Sequence, residues 1–193
     1  MSPSTRMLLI APLLAAAPLA AAEAGFGAQL HLAKPLGTFS DARHLDNTLG
    51  WGLGLMVPVD FGAGQGLRPK LDYLSFRRGA GDQRYKADAL LLMADYTCFV
   101  ADEAEGGYVF AGLGLHSTRL DATRGIGPLV TGARHTHTGF AFNVGLGYAF
   151  TRNFTFEVKY LGMDMGRLAY TLPATTDPSF MANAIVGSLG YKF

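Results

Sequence analysis

Along Phe140–Phe150 every second residue is large and apolar. Phe140, Phe142, Val144, Leu146, Tyr148 and Phe150 fall on one side; Ala141, Asn143, Gly145, Gly147 and Ala149 fall on the other. A period of two marks a strand whose faces meet different surroundings, because successive side chains leave a strand on opposite sides. The pattern recurs. Phe154, Phe156, Val158 and Tyr160 alternate with Thr155, Glu157 and Lys159, and Leu49, Trp51, Leu53, Leu55, Val57, Val59 and Phe61 with Gly50, Gly52, Gly54, Met56, Pro58 and Asp60. Fainter versions run through Phe26–Leu32, Leu67–Gly79, Lys86–Val100, Val109–Leu115 and Phe180–Phe193. This predicts about eight strands, each of roughly ten to fourteen residues.

The breaks alternate in length. Pro35–Asn47, Asp121–His137 and Gly166–Ser179 are long, Ala80–Tyr85 is intermediate, and Gly62–Gly66, Ala101–Gly106 and Thr151–Asn153 are tight. Such spacing predicts an antiparallel up-and-down meander with long loops at one end and turns at the other. No linker or second domain interrupts it.

Met1–Ala22 reads as a secretory signal. Arg6 supplies the positive start, Met7–Ala17 the apolar stretch, and Ala20–Ala22 the small residues needed for cleavage. The expected division is therefore a signal at 1–22 and a barrel domain at 23–193. A helical span needs about 18 or more apolar residues, and the one candidate, at the N-terminus, is broken by Pro12 and Pro18. A net charge of +1 without a basic run argues against nucleic acid. Cys98 is the single cysteine, which excludes a disulfide scaffold.

Alternation alone leaves open which face lies inside. A soluble barrel needs charge on its outer face, yet only 16% of residues are charged, against about 25% in soluble proteins. Eight strands enclose a space just wide enough for side chains to fill. The face rich in Gly and Ala, among 25 glycines in 193 residues, suits such a lumen better than the aromatic face. Aromatics also gather at strand ends: Phe61, Tyr96, Phe150, Phe154, Tyr191 and Phe193 toward the tight turns, and Trp51, Tyr73, Phe140, Tyr160 and Phe180 toward the other end. Membrane barrels carry such girdles at both interfaces. The reading is all-β: an eight-stranded antiparallel up-and-down transmembrane β-barrel after a cleavable signal peptide. On the inner face Lys70, Asp72, Asp95, Glu157 and Lys159 carry both signs, and buried charges must be paired. They are expected to form structural ion pairs in the lumen.

With its signal, its eight alternating segments and strands such as Val144–Phe150, the chain resembles the small outer-membrane β-barrel proteins of Gram-negative bacteria, the OmpA-barrel and OmpX-like class. Gly187–Phe193 is the strongest match. The resemblance implies that Tyr191 and Phe193 belong to the signal read by the barrel-assembly machinery. It also implies lipid and lipopolysaccharide as surroundings. No wall-binding domain is expected, since the sequence ends on the last strand.

The same class includes lipid A deacylases with a Ser–His pair, so His116 and Ser117 merit attention. Neighbouring strand residues point to opposite faces, so these two are not expected to form a dyad, and no His and Ser two apart lie nearby. His135 and His137 share a face and, with His44 or a loop Asp, would offer metal ligands; as loop residues they are expected to be solvated. Arg77, Arg78, Arg124, Arg134 and Arg167 gather toward the long-loop end, within reach of lipopolysaccharide phosphates. The expected role is non-enzymatic: structural, adhesive or ligand-binding through the outer loops, with no cofactor or metal. A lipid A-modifying enzyme and a narrow solute channel are the alternatives.

Overall fold

A computed structural model describes residues 25–37, 48–80, 83–100, 105–126, 129–166 and 181–193. The expected signal segment, His44, Arg167 and Phe180 lie outside them. The strands are β1 (Gly27–Leu36), β2 (Gly50–Met56), β3 (Val59–Gly62), β4 (Gln65–Ala80), β5 (Gln83–Phe99), β6 (Gly106–Ile126), β7 (Leu129–Ala149), β8 (Phe154–Asp164) and β9 (Met181–Lys192). They form one antiparallel sheet in the order β2-β1-β9-β8-β7-β6-β5-β4-β3, and β2 also pairs with β4, which closes it. β2 and β3 both pair with β4 and together make one stave, broken at Val57–Pro58. The barrel therefore has eight staves. Pro58 has no N–H for the ladder. Its carbonyl still accepts from Gly25 N at 3.0 Å, and Val57 N donates to Pro69 O at 2.9 Å.

The tight turns sit at one end. Gly62, Ala63 and Gly64 have φ of +81°, +52° and +68°, so the chain reverses through three left-handed residues. At the Phe150–Phe154 turn the Thr151 hydroxyl accepts from the backbone N of Asn153 and Phe154, at 3.3 and 3.1 Å.

The apolar face points outward, as the alternation requires. Leu113, Phe140 and Leu146 are 74%, 71% and 67% exposed, far too much for a soluble core. Together with Leu30, Leu53, Leu92, Val144 and Leu189 they form a belt that only lipid can cover. Trp51 and Tyr73 meet edge to face, 6.0 Å apart, on the outer girdle. On the opposite girdle Phe26 stacks on Phe193, and Tyr191 meets Phe193 edge to face.

Two expectations need correction. First, Asp121–His137 is not a long loop: β6 and β7 stay paired out to Ile126 and Leu129, and each has 21 residues. β4 and β5 likewise continue to Ala80 and Gln83. Beyond the lipid the outward face meets water, so its residues turn polar, as Ser117, Arg119, Asp121 and Thr123 do on β6, and hydrophobic alternation fades while the pairing persists. Second, the lumen is not filled by small residues alone. Leu74, Phe76, Leu91, Met93, Leu161, Met163 and Met165 pack inside it. Glycine on neighbouring staves makes the room: a Cβ on Gly50 would lie 2.5 Å from the Phe76 ring.

Candidate functional site

The inner face of the barrel is layered from the tight-turn end upward. Phe99, Tyr108, Phe110 and Ala149 pack lowest. Above them lies a polar girdle, and above that the apolar layer containing Leu74, Phe76 and Met163. The girdle follows from parity. Residues 68, 70 and 72 of β4 face inward, as do 95 of β5 and 157 and 159 of β8, and each is at most 5% exposed.

Three cations, Arg68, Lys70 and Lys159, meet three carboxylates, Asp72, Asp95 and Glu157. Lys70 Nζ lies 2.5 Å from Asp95 and 3.6 Å from Asp72, and Lys159 Nζ lies 3.0 Å from Asp72. The Arg68 guanidinium reaches Glu157 with one nitrogen and Asp95 with the other, the latter at 3.1 Å. Its Cζ sits 5.1 Å from the centre of the Phe110 ring. Neutral groups satisfy the remaining oxygens. Tyr108 Oη donates to Glu157 at 2.6 Å, Gln29 Nε2 to Glu157 at 3.1 Å, and Asn143 Nδ2 to Asp95 at 2.9 Å. In a low-dielectric interior an ion pair is tolerable when its other lone pairs are also filled.

All five charges singled out in the sequence thus sit in one cluster. Arg68, which joins Asp95 and Glu157, carries no such signal beyond its parity with Lys70 and Asp72. Gln29, His31, Asn143 and Tyr108 also belong to it. His31 bridges Ser188 Oγ at 2.8 Å and Asp72 Oδ1 at 3.2 Å. The order Ser–His–Asp is that of a hydrolase relay, but Ser188 is 1% exposed and His31 is fully buried. Asp72 is also held by two lysines. The serine is therefore closed to solvent in this arrangement.

His116 is buried, while Ser117 faces outward, so the two cannot act on one another. His116 contacts Thr118 Oγ1 and the Asp164 carbonyl, each at 2.8 Å. His135 and His137 lie in β7, not in a loop. Among the described residues no group of three or more His, Cys, Asp or Glu is placed to hold a metal.

A second surface stands above the lipid belt. On β6 the outward series changes from Leu113 and Leu115 to Ser117, Arg119, Asp121 and Thr123; on β7 it changes from Phe140 to Thr138, Thr136 and Arg134. Arg77 of β4 and Arg84, Lys86 and Asp88 of β5 continue the same wall. Arg119 and Arg134 both bind Asp121, at 3.1 and 2.9 Å. Slight burial raises the Asp121 carboxyl, but the Arg134 hydrogen bond and the Arg119 charge outweigh it and hold the group below its usual range. Of the arginines singled out, Arg77 and Arg134 are exposed here and Arg78 is half-buried. The Arg124 side chain lies outside the described residues.

The chain matches the family described as outer membrane protein beta-barrel domain over residues 7–193. Its structure is similar to three solved barrels. Neisserial surface protein A shares 18% identity at a TM-score of 0.57, covering 90% of this chain and 99% of that one. The N-terminal barrel of Pseudomonas aeruginosa OprF shares 14% identity at 0.57, covering 90% and 100%. The attachment invasion locus protein Ail of Yersinia pestis shares 14% at 0.56, covering 89% and 99%. At these identities the likeness is one of fold. No curated protein matches the chain in sequence.

Proposed function

This chain belongs to the outer membrane protein beta-barrel domain family, with its place in the bacterial outer membrane, and on that premise we propose a non-enzymatic binding protein that works through its projecting β4–β7 wall. The observation that carries this reading is the uneven height of the rim. β6 and β7 have 21 residues each, whereas β8 and β9 have 11 and 12. The difference is worth roughly 30 Å along the strand at about 3.3 Å per residue. A wall extended that far along its strands costs ordering entropy.

Its outer face favours anions. Arg77, Arg84, Lys86, Arg119 and Arg134 outnumber Asp88 and Asp121. Lipopolysaccharide phosphates lie directly beside these residues and are the first partner; guanidinium groups suit them through paired hydrogen bonds. Ligands held by the loops above form the second. The neutralised, densely filled lumen argues against the channel alternative. Tyr191 and Phe193 stand exposed on the tight-turn girdle, where the assembly machinery would read them.

The test is co-purification in mild detergent. Wild-type barrel is expected to retain lipopolysaccharide. A variant carrying Gln at 77, 84, 86, 119 and 134, still folded by its heat-modifiable gel migration, is expected to lose most of it. Equal retention would defeat the reading. A steady conductance of the wild type in planar bilayers would favour the channel instead.

A further inference from the structure

Three histidines face inward at the outer end of the barrel, and the binding role above uses none of them. Cross-strand register sets His116 of β6 opposite Gly139 of β7, and Thr118 opposite His137. The two imidazoles are therefore diagonal neighbours, with ring centres 6.0 Å apart and planes inclined at 43°. Gly139, with no side chain of its own, packs between them. A Cβ built on it would lie 3.1 Å from Nε2 of His116 and 3.1 Å from Nε2 of His137, and would press on the Asp164 carbonyl oxygen. Two ring nitrogens and one carbonyl oxygen thus surround a single region beside a glycine. Gly166, at φ +58°, packs against the same ring, where a Cβ would come within 2.6 Å of His137 Cε1.

We propose that His116, His137 and the carbonyl of Asp164 bind a divalent transition-metal ion at the outer end of the lumen. His116 Nε2 and the Asp164 oxygen are 2.8 Å apart and share one proton. The ion takes the place of that proton, which moves to Nδ1 of the same ring. There it needs an acceptor, and Thr118 Oγ1 already stands 2.8 Å away. A histidine ligand characteristically donates its second ring N–H in this way, which fixes its tautomer and orientation. No proton is lost from the protein, since both imidazoles bind in their neutral form. His116 is 2% exposed, so its ring is held in place before the ion arrives. Imidazole nitrogens select zinc, nickel or copper over calcium or magnesium, and copper(II) binds such donors most tightly. Among the described residues no third acidic, cysteine or histidine side chain joins the pair. His135 sits one inward position further out, opposite Leu120, and is not a ligand.

The test uses tag-free, folded barrel in detergent, stripped with a chelator and titrated with copper(II). Electron paramagnetic resonance is expected to show one ion per chain with coupling to two imidazole nitrogens. His137→Ala, at a half-buried position that should not disturb folding, is expected to weaken binding at least about tenfold, and Thr118→Val by about tenfold through the lost acceptor. His116→Gln abolishes the two-nitrogen signal, while His135→Ala leaves affinity within about twofold, well short of the tenfold loss expected at a ligand or its hydrogen-bond partner. Heat-modifiable gel migration checks the fold of each variant; if His116→Gln fails it, His137→Ala decides alone. Absence of a stoichiometric site, binding that survives His137→Ala, or an equal loss in His135→Ala would overturn the proposal.

Discussion

Lys159 and Asp72 meet at 3.0 Å across the full width of the barrel, since β8 and β4 are opposite staves. Arg68 and Glu157 join the same two staves one step lower. Removing a single partner strands a charge in a low-dielectric interior, at a cost of about 3–5 kcal/mol. Arg68→Met is therefore expected to lower the unfolding free energy by that much in urea titrations in lipid vesicles. Adding Glu157→Leu to it should recover a large part of the loss. A full loss that persists in the double variant would mean that the girdle acts through shape, not charge.

The glycines are graded by what they face. A Cβ on Gly50 would collide with the Phe76 ring, whereas one on Gly187 meets only Leu32 O, at 4.0 Å. Gly50→Ala is expected to destabilise by about 1–3 kcal/mol through overpacking. Gly187→Ala is expected to change stability by less than about 1 kcal/mol, with a gain where strand propensity dominates. Equal effects at the two sites would contradict the packing described.

The lipid boundary can be located by arginine substitution. Val144 is 53% exposed at the middle of the belt, paired with Ala111. Val144→Arg should cost about 2–4 kcal/mol and Thr136→Arg close to nothing, following the depth dependence of charge on the lipid face. A large cost at Thr136 would place the membrane surface higher on β7.

The clasp formed by Arg119, Asp121 and Arg134 titrates with Asp121. Its carboxyl is held low in the folded state, so the clasp contributes above the unfolded carboxyl pKa and is lost as pH falls through the folded value. The contribution is modest because Arg134 is 66% exposed, within the roughly 0.2–1 kcal/mol of surface pairs. Hydrogen exchange in the upper β6–β7 ladder is expected to quicken only below the ordinary carboxylate range, and Asp121→Asn should remove that dependence.

The barrel was legible wherever lipid imposed a period of two. Residues 140–150 and 154–160 point as their alternation requires. Legibility ended where that pressure ended: Arg119–Ile126 and Leu129–Thr138 are strands, but without lipid outside them the outward residues Arg119, Asp121, Thr123, Arg134, Thr136 and Thr138 are polar and the pattern fades. Within the lumen, Lys70 and Asp72 were recognisable from charge and parity. Tyr108 and Phe110 were not, because an inward aromatic in a glycine-rich strand looks like its outward neighbours. The pairing of His137 with His116 depends on register across β6 and β7, which no local spacing encodes.

The stacking of the inner layers has an electrostatic consequence. Phe99, Tyr108 and Phe110 lie below the ionic girdle and Leu74, Phe76 and Met163 above it, and its charges are at most 5% exposed, so few mobile counter-ions reach them, although Arg68 borders a cavity at the tight-turn end. Debye screening, which shortens to about 3 Å at molar salt, acts on charges that solvent ions can approach. The outer clasp should therefore fade with ionic strength while the girdle holds, and a single chain carries two sets of ion pairs living in different dielectrics.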